Sequence, residues 1–194
     1  MGQSATETEI KLPFPDTQTA RQRLTAAGFR VYKRRVFEAN TVFDTPRLAL
    51  RRKALLLRLR QAGKLTILTY KGRPVPGKHK SREEREVQIP DSDTMAKILQ
   101  GIGYAPVFRY EKYRTEFQQS TGHGIAMLDE TPIGVFVELE GTPAWIDRTA
   151  RRMQFSDADY ITSSYGLLYR EWCRRNHIRP THMVFGKNSL QGHR

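Results

Sequence analysis

The sequence has almost no cysteine and no long apolar run. Its single cysteine, Cys173, excludes an internal disulfide and any metal site built from several cysteines. No stretch approaches the roughly 20 apolar residues that cross a bilayer, and the first residues lack the basic-then-apolar pattern of an export signal. We therefore expect a cytoplasmic protein with no membrane partner, in which Cys173 is a buried or incidental thiol.

Acidic residues are also scarce relative to basic ones. The 194 residues include 20 Asp and Glu against 33 Lys and Arg, which gives a formal net charge of +13. Such an excess fits an anionic partner, which could be a nucleic acid, a membrane surface or a small polyanion such as a polyphosphate. The total charge does not choose among these partners, whereas the placement of the charges along the strands does.

Hydrophobic periodicity and turn residues divide the chain into about eight strands and four helices. Many strands with short connections and few crossover helices favour an antiparallel sheet or a closed barrel. No internal linker divides the chain, so we predict one domain over 1–194, with a barrel at about 5–141 and packed helices at about 143–178. The predicted strands are 6–12, 30–43, two within 55–72, 80–89, 106–118, 123–129 and 134–141; the predicted helices are 16–28, 91–101, 143–153 and 157–176.

Charged residues alternate with apolar ones along most of these strands. In the stretch TETEIKL, a strand places Glu7, Glu9 and Lys11 on one face and Ile10 and Leu12 on the other. The same alternation recurs in later strands, and the shared face then carries seven cations and seven anions. The later members of this face are Arg58, Arg60, Lys71, Arg82, Glu84, Glu86, Lys112, Arg114, Asp129, Glu138 and Glu140.

A mixed face of this kind indicates a binding site for a metal and a polyphosphate. In a single strand it would be an ordinary solvent face, but in a closed barrel these faces line the lumen. Buried charge is costly unless it is paired or occupied by a ligand. A nucleic-acid groove would be overwhelmingly basic. Here guanidinium and ammonium groups suit phosphate oxygens, and clustered carboxylates suit magnesium or manganese.

Seven motifs in a fixed order resemble the CYTH domains of the triphosphate tunnel metalloenzymes. This superfamily includes class IV adenylyl cyclases, thiamine triphosphatases and inorganic triphosphatases. The motifs are ETEIK at 7–11 (with the preceding Thr6), VFDTP at 42–46, LRLR at 57–60, LTYKG at 68–72, REERE at 82–86, KYR at 112–114 and LDETPIGVFVELEG at 128–141. The resemblance implies an α+β fold, in which a closed eight-stranded antiparallel β-barrel with a charged lumen is flanked by helices, including a C-terminal helical pair.

The resemblance also implies roles for individual residues and a divalent cofactor, Mg²⁺ or Mn²⁺. It assigns Glu7, Glu9 and Lys11 to catalysis. The metal-side carboxylates would be Glu7, Glu9, Asp129, Glu138 and Glu140, and Glu84 and Glu86 could hold a second metal or orient the cations. The residues that would bind the triphosphate are Lys11, Arg58, Arg60, Lys71, Arg82, Lys112 and Arg114.

The leading hypothesis is a metal-dependent hydrolase of inorganic triphosphate or of a nucleoside or organic triphosphate. Its alternative is a class IV adenylyl cyclase, although RVYKRRVFEAN stands where bacterial cyclases of this class often carry a His-Phe motif. A binding module without turnover and a nucleic-acid-binding protein are further alternatives. The expected partner is tripolyphosphate, ATP or thiamine triphosphate; no nucleic acid is expected, and a homodimer is left open.

Several polar or aromatic residues are interpreted without a role in binding. Lys80 and Glu116 lie near the ends of the charged face, and Asp44 reads as a turn cap rather than a ligand. Tyr110 and the stripe of Ile161, Tyr165, Leu168, Tyr169 and Trp172 read as packing. None of the histidines, His79, His123, His177, His182 and His193, has partners at metal spacing. The segment GKNSLQG at 186–192 lacks the strand-loop-helix frame of a phosphate loop.

Overall fold

A closed antiparallel barrel forms the body of the protein. The computed structural model describes residues 5–120 and 122–186, and within them eight strands close in the order β1-β5-β4-β3-β2-β6-β7-β8. The predicted fold class is therefore confirmed. His193 and residues 187–192 lie outside the described residues. The strands are β1 Ala5–Phe14, β2 Arg30–Asp44, β3 Leu56–Ala62, β4 Leu65–Lys71, β5 Lys80–Ile89, β6 Ala105–Gln118, β7 Gly124–Thr131 and β8 Gly134–Gly141.

Helices occupy the connections and the C-terminal part of the described chain. They are α1 Thr17–Ala26, α2 Ala49–Arg52, α3 Ser92–Gly101, α4 Pro143–Arg152 and α5 Tyr165–Arg175. Side-chain caps set several of their starts, because an N-cap oxygen satisfies a free backbone N–H. Asp16 accepts from the Thr19 amide at 2.7 Å, and Asp91 accepts from the amides of Asp93 and Thr94. In the described part of the chain, no helix is both long and apolar enough to cross a membrane.

The predicted helix at 157–176 is wrong over its first half. Asp157–Asp159 form a single 3₁₀ turn, and Tyr160 is already extended. Ile161 then pairs with Lys11 of β1: the Lys11 amide donates to the Ile161 carbonyl at 2.9 Å, and the Ile161 amide donates back at 3.0 Å. The helix α5 begins only after Ser164, whose hydroxyl accepts from the Leu167 amide. The extended segment therefore holds the start of α5 close to the barrel.

The main hydrophobic core lies outside the barrel, between its wall and two helices. The wall contributes outward side chains of β1, β7 and β8, such as Ile10, Leu128 and Leu139, which are fully buried. The helices α1 and α4 cover them, with Trp145 of α4 packed into the same cluster. A Cβ at Gly124 would lie 2.6 Å from the Trp145 ring, so this close approach requires glycine. With the apolar faces used outside, the charged faces point inward.

Two smaller clusters cover the rest of the barrel. Helix α3 packs Leu99 against Phe43 and Leu59 on the outside of β2 and β3. Helix α5 packs Tyr169 and Cys173 across one end of the barrel. Cys173 is fully buried, so the prediction of a buried thiol is confirmed.

Candidate active site in the barrel lumen

The barrel encloses a cavity of about 1040 Å³. Side chains at alternate positions of a strand point to the same face, so the charged positions of the described strands meet inside. Of the fourteen residues predicted for the charged face, thirteen line this cavity; Asp129 does not. The thirteen are Glu7, Glu9, Lys11, Arg58, Arg60, Lys71, Arg82, Glu84, Glu86, Lys112, Arg114, Glu138 and Glu140.

Ion pairs connect β1 to its neighbours across the lumen. The Lys71 ammonium lies 2.6 Å from Glu7 and 2.9 Å from Glu84. The Lys11 ammonium lies 3.0 Å from Glu138. Burial works to lower the pKa of Lys11, but the charges of Glu138, Glu9 and Asp129 and the hydrogen bond to Glu138 together outweigh it and raise this pKa above its usual value. Lys11 is therefore a fixed positive charge at any physiological pH.

Asp129 lies on the inner face of β7, where Lys112, Arg114 and Tyr165 cover it, and it is the centre of a second cluster. It is fully buried and accepts from the Lys112 ammonium at 2.8 Å and from the Arg114 Nε at 2.7 Å. The Tyr165 hydroxyl donates to the same carboxylate at 2.7 Å. Arg114 also contacts Glu138. In this arrangement Asp129 orients two predicted phosphate-binding cations, and its role as a metal ligand stays a prediction.

Three arginines in the lumen have unused hydrogen-bond donors. The Nε atoms of Arg58, Arg60 and Arg82 are buried and have no hydrogen-bond partner within the described residues. An unsatisfied buried donor costs free energy, more so when it carries charge. Phosphate oxygens accept such hydrogen bonds in a forked geometry. The three arginines also line the cavity, which therefore presents positive charge to an anionic ligand.

Negative charge is in excess around Glu140. Its backbone lies directly opposite Glu9 across the β1–β8 ladder. Burial and the neighbouring charge of Glu7 raise the pKa of Glu140 to about 7. Burial also raises the pKa of Glu84, with a further contribution from Glu7. Within residues 5–120 and 122–186, no side chain forms a hydrogen bond or ion pair with Glu140, so this corner favours a cation.

Glu38 and Asn40 of β2 belong to the charged interior but were not predicted. Glu38 is buried and lies 3.6 Å from both the Lys112 ammonium and the Arg60 guanidinium. Burial works to raise its pKa, but these cations and Arg114 lower it to about 2. The amide of Asn40 is fully buried and has no partner within the described residues. Alternation counted back from Val42 would have placed both side chains on the inner face.

Lys80 and Tyr110 take a larger part in the lumen than expected. The Lys80 ammonium lies 2.7 Å from Glu9, although Lys80 was placed near the end of the charged face. Burial, opposed by Glu9, lowers the pKa of Lys80 to about 8. Tyr110 was interpreted as packing, yet its hydroxyl accepts from Arg58 at 3.0 Å. Strand alternation predicts the correct face for Lys80, but it does not predict that its ammonium group contacts Glu9.

Asp44 and His79 behave as the sequence indicates. The Asp44 carboxylate accepts from the backbone amides of Thr45, Leu50 and Arg51, which is the predicted turn cap. The ring of His79 lies 2.8 Å from Asp147 at the cavity wall, so its side chain is paired outside the charged face.

One end of the cavity is apolar and aromatic. The lining there includes Leu55, Phe108, Leu167 and Tyr169. The rings of Phe108 and Tyr169 are 5.9 Å apart. The cavity therefore joins a charged chamber to a mouth that suits an organic group.

The donor set fits a magnesium or manganese ion that is shared with a phosphate ligand. In the described part of the chain, no three His, Cys, Asp or Glu side chains stand close enough to hold a metal alone. Mg²⁺ usually takes only one or two protein carboxylates and completes its shell with water and phosphate oxygens. The pair formed by Glu9 and Glu140, with Glu7 nearby, supplies such carboxylates.

Comparisons with known proteins agree with the barrel and its motifs. The family model for the CYTH domain matches residues 5–165. A protein of Methanocaldococcus jannaschii described as a candidate adenylate cyclase is 30% identical over 134 residues, which cover 69% of this chain and 75% of that protein.

Two solved structures share the fold at low identity. One is a candidate adenylate cyclase from Vibrio parahaemolyticus, with a TM-score of 0.72, 20% identity and coverage of 89% of this chain and 99% of that one. The other is a candidate adenylyl cyclase from Hippeastrum described as having a dominant triphosphatase activity. Its TM-score is 0.63, with 19% identity and coverage of 88% of this chain and 96% of that one.

Proposed function

Because this chain belongs to the CYTH domain family, we propose that it is a divalent-metal-dependent enzyme that hydrolyses a triphosphate inside its barrel. The substrate would be inorganic triphosphate or a nucleoside or organic triphosphate. One observation carries the proposal. Three arginines, Arg58, Arg60 and Arg82, line a cavity that also contains paired lysines and carboxylates. Their buried Nε atoms have no hydrogen-bond partner among the described residues, and that of Arg82 lies 3.6 Å from Glu7.

The cations of the lumen would bind and orient the phosphate chain. Arg58, Arg60 and Arg82 would donate to non-bridging oxygens, since these three arginines line the cavity. Lys11 and Arg114 would neutralise charge that develops on the phosphoryl group, because preorganised charge in a water-poor site stabilises such a transition state. Their carboxylate partners hold these cations in place before the substrate arrives.

The carboxylates Glu7, Glu9 and Glu140 would hold Mg²⁺ or Mn²⁺. When bound, the metal would supply positive charge and activate a water molecule. The chain itself supplies the acidic corner, where burial and mutual repulsion disfavour a third ionised carboxylate. A cation there would offset this repulsion, which is the physical reason for placing the metal beside β1 and β8.

The apolar mouth favours a second candidate, an adenylyl cyclase that makes cyclic AMP and pyrophosphate from ATP. Leu55 and Phe108 line the cavity, and a bare tripolyphosphate has no apolar group to contact them. The same phosphate-binding cations serve either reaction. The two reactions differ in the nucleophile, which is water in hydrolysis and the ribose 3′-hydroxyl in cyclisation.

A product assay tests the proposal directly. The purified protein is incubated with tripolyphosphate, ATP or thiamine triphosphate, each with Mg²⁺, Mn²⁺ or a chelator, and the products are separated by ion exchange. We expect metal-dependent release of orthophosphate. Cyclic AMP and pyrophosphate from ATP would support the cyclase instead, and tight binding of tripolyphosphate without any product would leave a binding module.

A matched pair of variants on β5 tests whether the lumen is the site. Arg82→Ala removes an inward guanidinium, whereas Arg85→Ala removes one on the opposite face of the same strand, where it pairs with Glu83. We expect only Arg82→Ala to weaken triphosphate binding. Equal effects of the two substitutions, or binding that collapses with modest salt and ignores free tripolyphosphate, would point to a surface polyanion site instead.

A further inference from the structure

Tyr165 occupies an unusual place for a core aromatic residue. It is the first residue of α5, and the extended segment before it is tied to β1 by the Lys11–Ile161 backbone pair. It is buried and belongs to the cluster that closes one end of the barrel. Its side chain nevertheless lines the cavity. A helix outside the barrel therefore places one of its residues inside the charged chamber.

The hydroxyl of Tyr165 is part of the cluster around Asp129. It donates to Asp129 Oδ2 at 2.7 Å, and the same oxygen accepts from the Lys112 ammonium at 2.8 Å and from Arg114 at 2.6 Å. Three donors therefore share one carboxylate oxygen. Because Asp129 is fully buried, each donor changes how strongly the other two are held.

The ring of Tyr165 also faces two lysines. The Lys11 ammonium lies 5.2 Å from the ring centroid, and the Lys112 ammonium lies 5.1 Å from it. Both distances are within the range in which an aromatic face attracts a cation. The side chain thus contacts two of the predicted phosphate-binding residues through its ring and reaches a third, Arg114, through Asp129.

Tyr169, one turn further along α5, is a comparison residue that packs in the same cluster without a hydrogen bond to a charged side chain of the described residues. It is as buried as Tyr165. Its hydroxyl accepts only a long hydrogen bond, 3.4 Å, from the Thr181 amide. The contacts of the Tyr165 hydroxyl therefore do not follow from burial in the same aromatic cluster.

We infer that Tyr165 is a positioning residue for phosphate binding, which orients Lys112 and Arg114 through Asp129 and Lys11 through its ring. The inference rests on the proposed function. Without the hydroxyl, Asp129 would hold Lys112 and Arg114 in a less fixed geometry, so these two cations would be less well placed to bind a phosphate oxygen. The position of α5 would then control the affinity of the lumen for its anionic substrate.

The substitution Tyr165→Phe tests this role while keeping the ring. The matched control is Tyr160→Phe, because the Tyr160 hydroxyl also lies near a carboxylate, Asp147 at 3.1 Å, but outside the cavity wall. We expect Tyr165→Phe to raise the KM and the dissociation constant for inorganic tripolyphosphate by about fivefold to tenfold. The kcat should fall as well, because Lys11 and Arg114 would also neutralise charge that develops in the transition state.

A double-mutant cycle asks whether the effect passes through Asp129. If it does, Tyr165→Phe should have little further effect on tripolyphosphate affinity in an Asp129→Asn background, because coupled residues are not additive. Full additivity of the two substitutions would overturn the inference.

Nuclear magnetic resonance of the arginine side chains provides a readout that needs no substrate. The Arg114 Nε–H donates to Asp129, so its exchange with solvent should accelerate in Tyr165→Phe and stay unchanged in Tyr160→Phe. An unchanged Arg114 signal, or a changed signal with unaltered tripolyphosphate affinity, would reduce Tyr165 to a packing residue. If the wild type neither binds nor cleaves any triphosphate, the proposed function fails, and the Arg114 signal alone decides whether Tyr165 positions this cation.

Discussion

Replacing Glu140 with glutamine should stabilise the metal-free protein at high pH and have little effect at low pH. Burial and the charge of Glu7 raise the pKa of Glu140 from 4.5 to about 7. The folded protein therefore binds a proton more readily than the unfolded chain does between these two values. Stability falls as the pH rises through this window, because ionising Glu140 in the folded state is unfavourable. Glutamine removes the ionisation and with it the loss.

The size of the effect follows from the pKa change. A tenfold change in an ionisation equilibrium is worth about 1.4 kcal/mol, so the full penalty at pH 8 is about 3 kcal/mol. Glu140 keeps some contact with solvent, and solvent screening reduces such penalties. We therefore expect Glu140→Gln to gain about 1–3 kcal/mol in free energy of unfolding at pH 8 and close to nothing at pH 5.

Urea denaturation in the presence of a chelator, at pH 5, 6, 7 and 8, measures this difference. The control is Glu171→Gln on α5, because hydrogen bonding to Arg174 lowers the pKa of Glu171 and the glutamine variant should show no gain as the pH rises. With Mn²⁺ added, the stabilisation of the wild type should increase with pH, since the metal binds the ionised carboxylate. A difference between wild type and Glu140→Gln that does not change with pH would refute the reasoning.

The remaining predictions concern two lumen residues and one packing contact. Glu9→Gln should reduce metal-dependent turnover by at least about 100-fold, because loss of a residue that only supports a metal ligand already costs up to about 100-fold. Circular dichroism should show an intact fold. Unchanged activity would remove Glu9 from the metal set. Arg60→Ala should weaken tripolyphosphate binding by roughly 1.5–3 kcal/mol, as measured by calorimetry, and an unaltered affinity would mean that Arg60 does not contact the ligand. Gly124→Ala should lower the free energy of unfolding in urea by about 1–3 kcal/mol, because the new Cβ would clash with Trp145. The control is Gly101→Ala, which should not destabilise the fold because no atom lies within 4 Å of its Cβ.

The strands could be predicted because their alternation is nearly unbroken. The bounds of β5 at Lys80–Ile89 and of β8 at Gly134–Gly141 are the predicted ones. In β8 charged and apolar residues alternate, whereas β5 is charged at every position from Lys80 to Glu86 except Ser81. In a closed barrel one parity points inward along the whole strand. The same regularity placed most of the charged face correctly, since parity alone decides which side chains share the lumen.

The first half of β2 breaks this regularity, so Glu38 is placed on the inner face only by counting back from Val42. The pairing of β2 with β6 shifts register between Val31 and Lys33 and again between Lys33 and Val36. A β-bulge inserts an extra residue and changes which side chains face inward. The parity of the exposed basic residues at the start of β2 therefore does not extend to Glu38, and the sequence offers no separate signal for the bulges.

The prediction of a helix before α5 was wrong because the apolar residues there have helical spacing, whereas the backbone is extended. Ile161, Tyr165, Leu168 and Tyr169 follow each other at intervals of three and four, which is typical of a helix. Ser164 is a good N-cap residue and could have been used to place the helix start. The pairing of Ile161 with Lys11 depends on the closed barrel, and no local pattern reports a contact across 150 positions of sequence.

The pairing partners of β1 indicate when during folding the charged lumen is completed. The strand that carries Glu7, Glu9 and Lys11 pairs with β5, with β8 and with Ile161, all of which follow it at a distance in the chain. Contacts of such long sequence separation form slowly, because the loop between them must be closed first. During synthesis β1 would not have all of its pairing partners until β8 and Ile161 have been made. The barrel would therefore close last at the strand that carries Glu7, Glu9 and Lys11, and a partly made chain would hold its acidic and basic side chains apart.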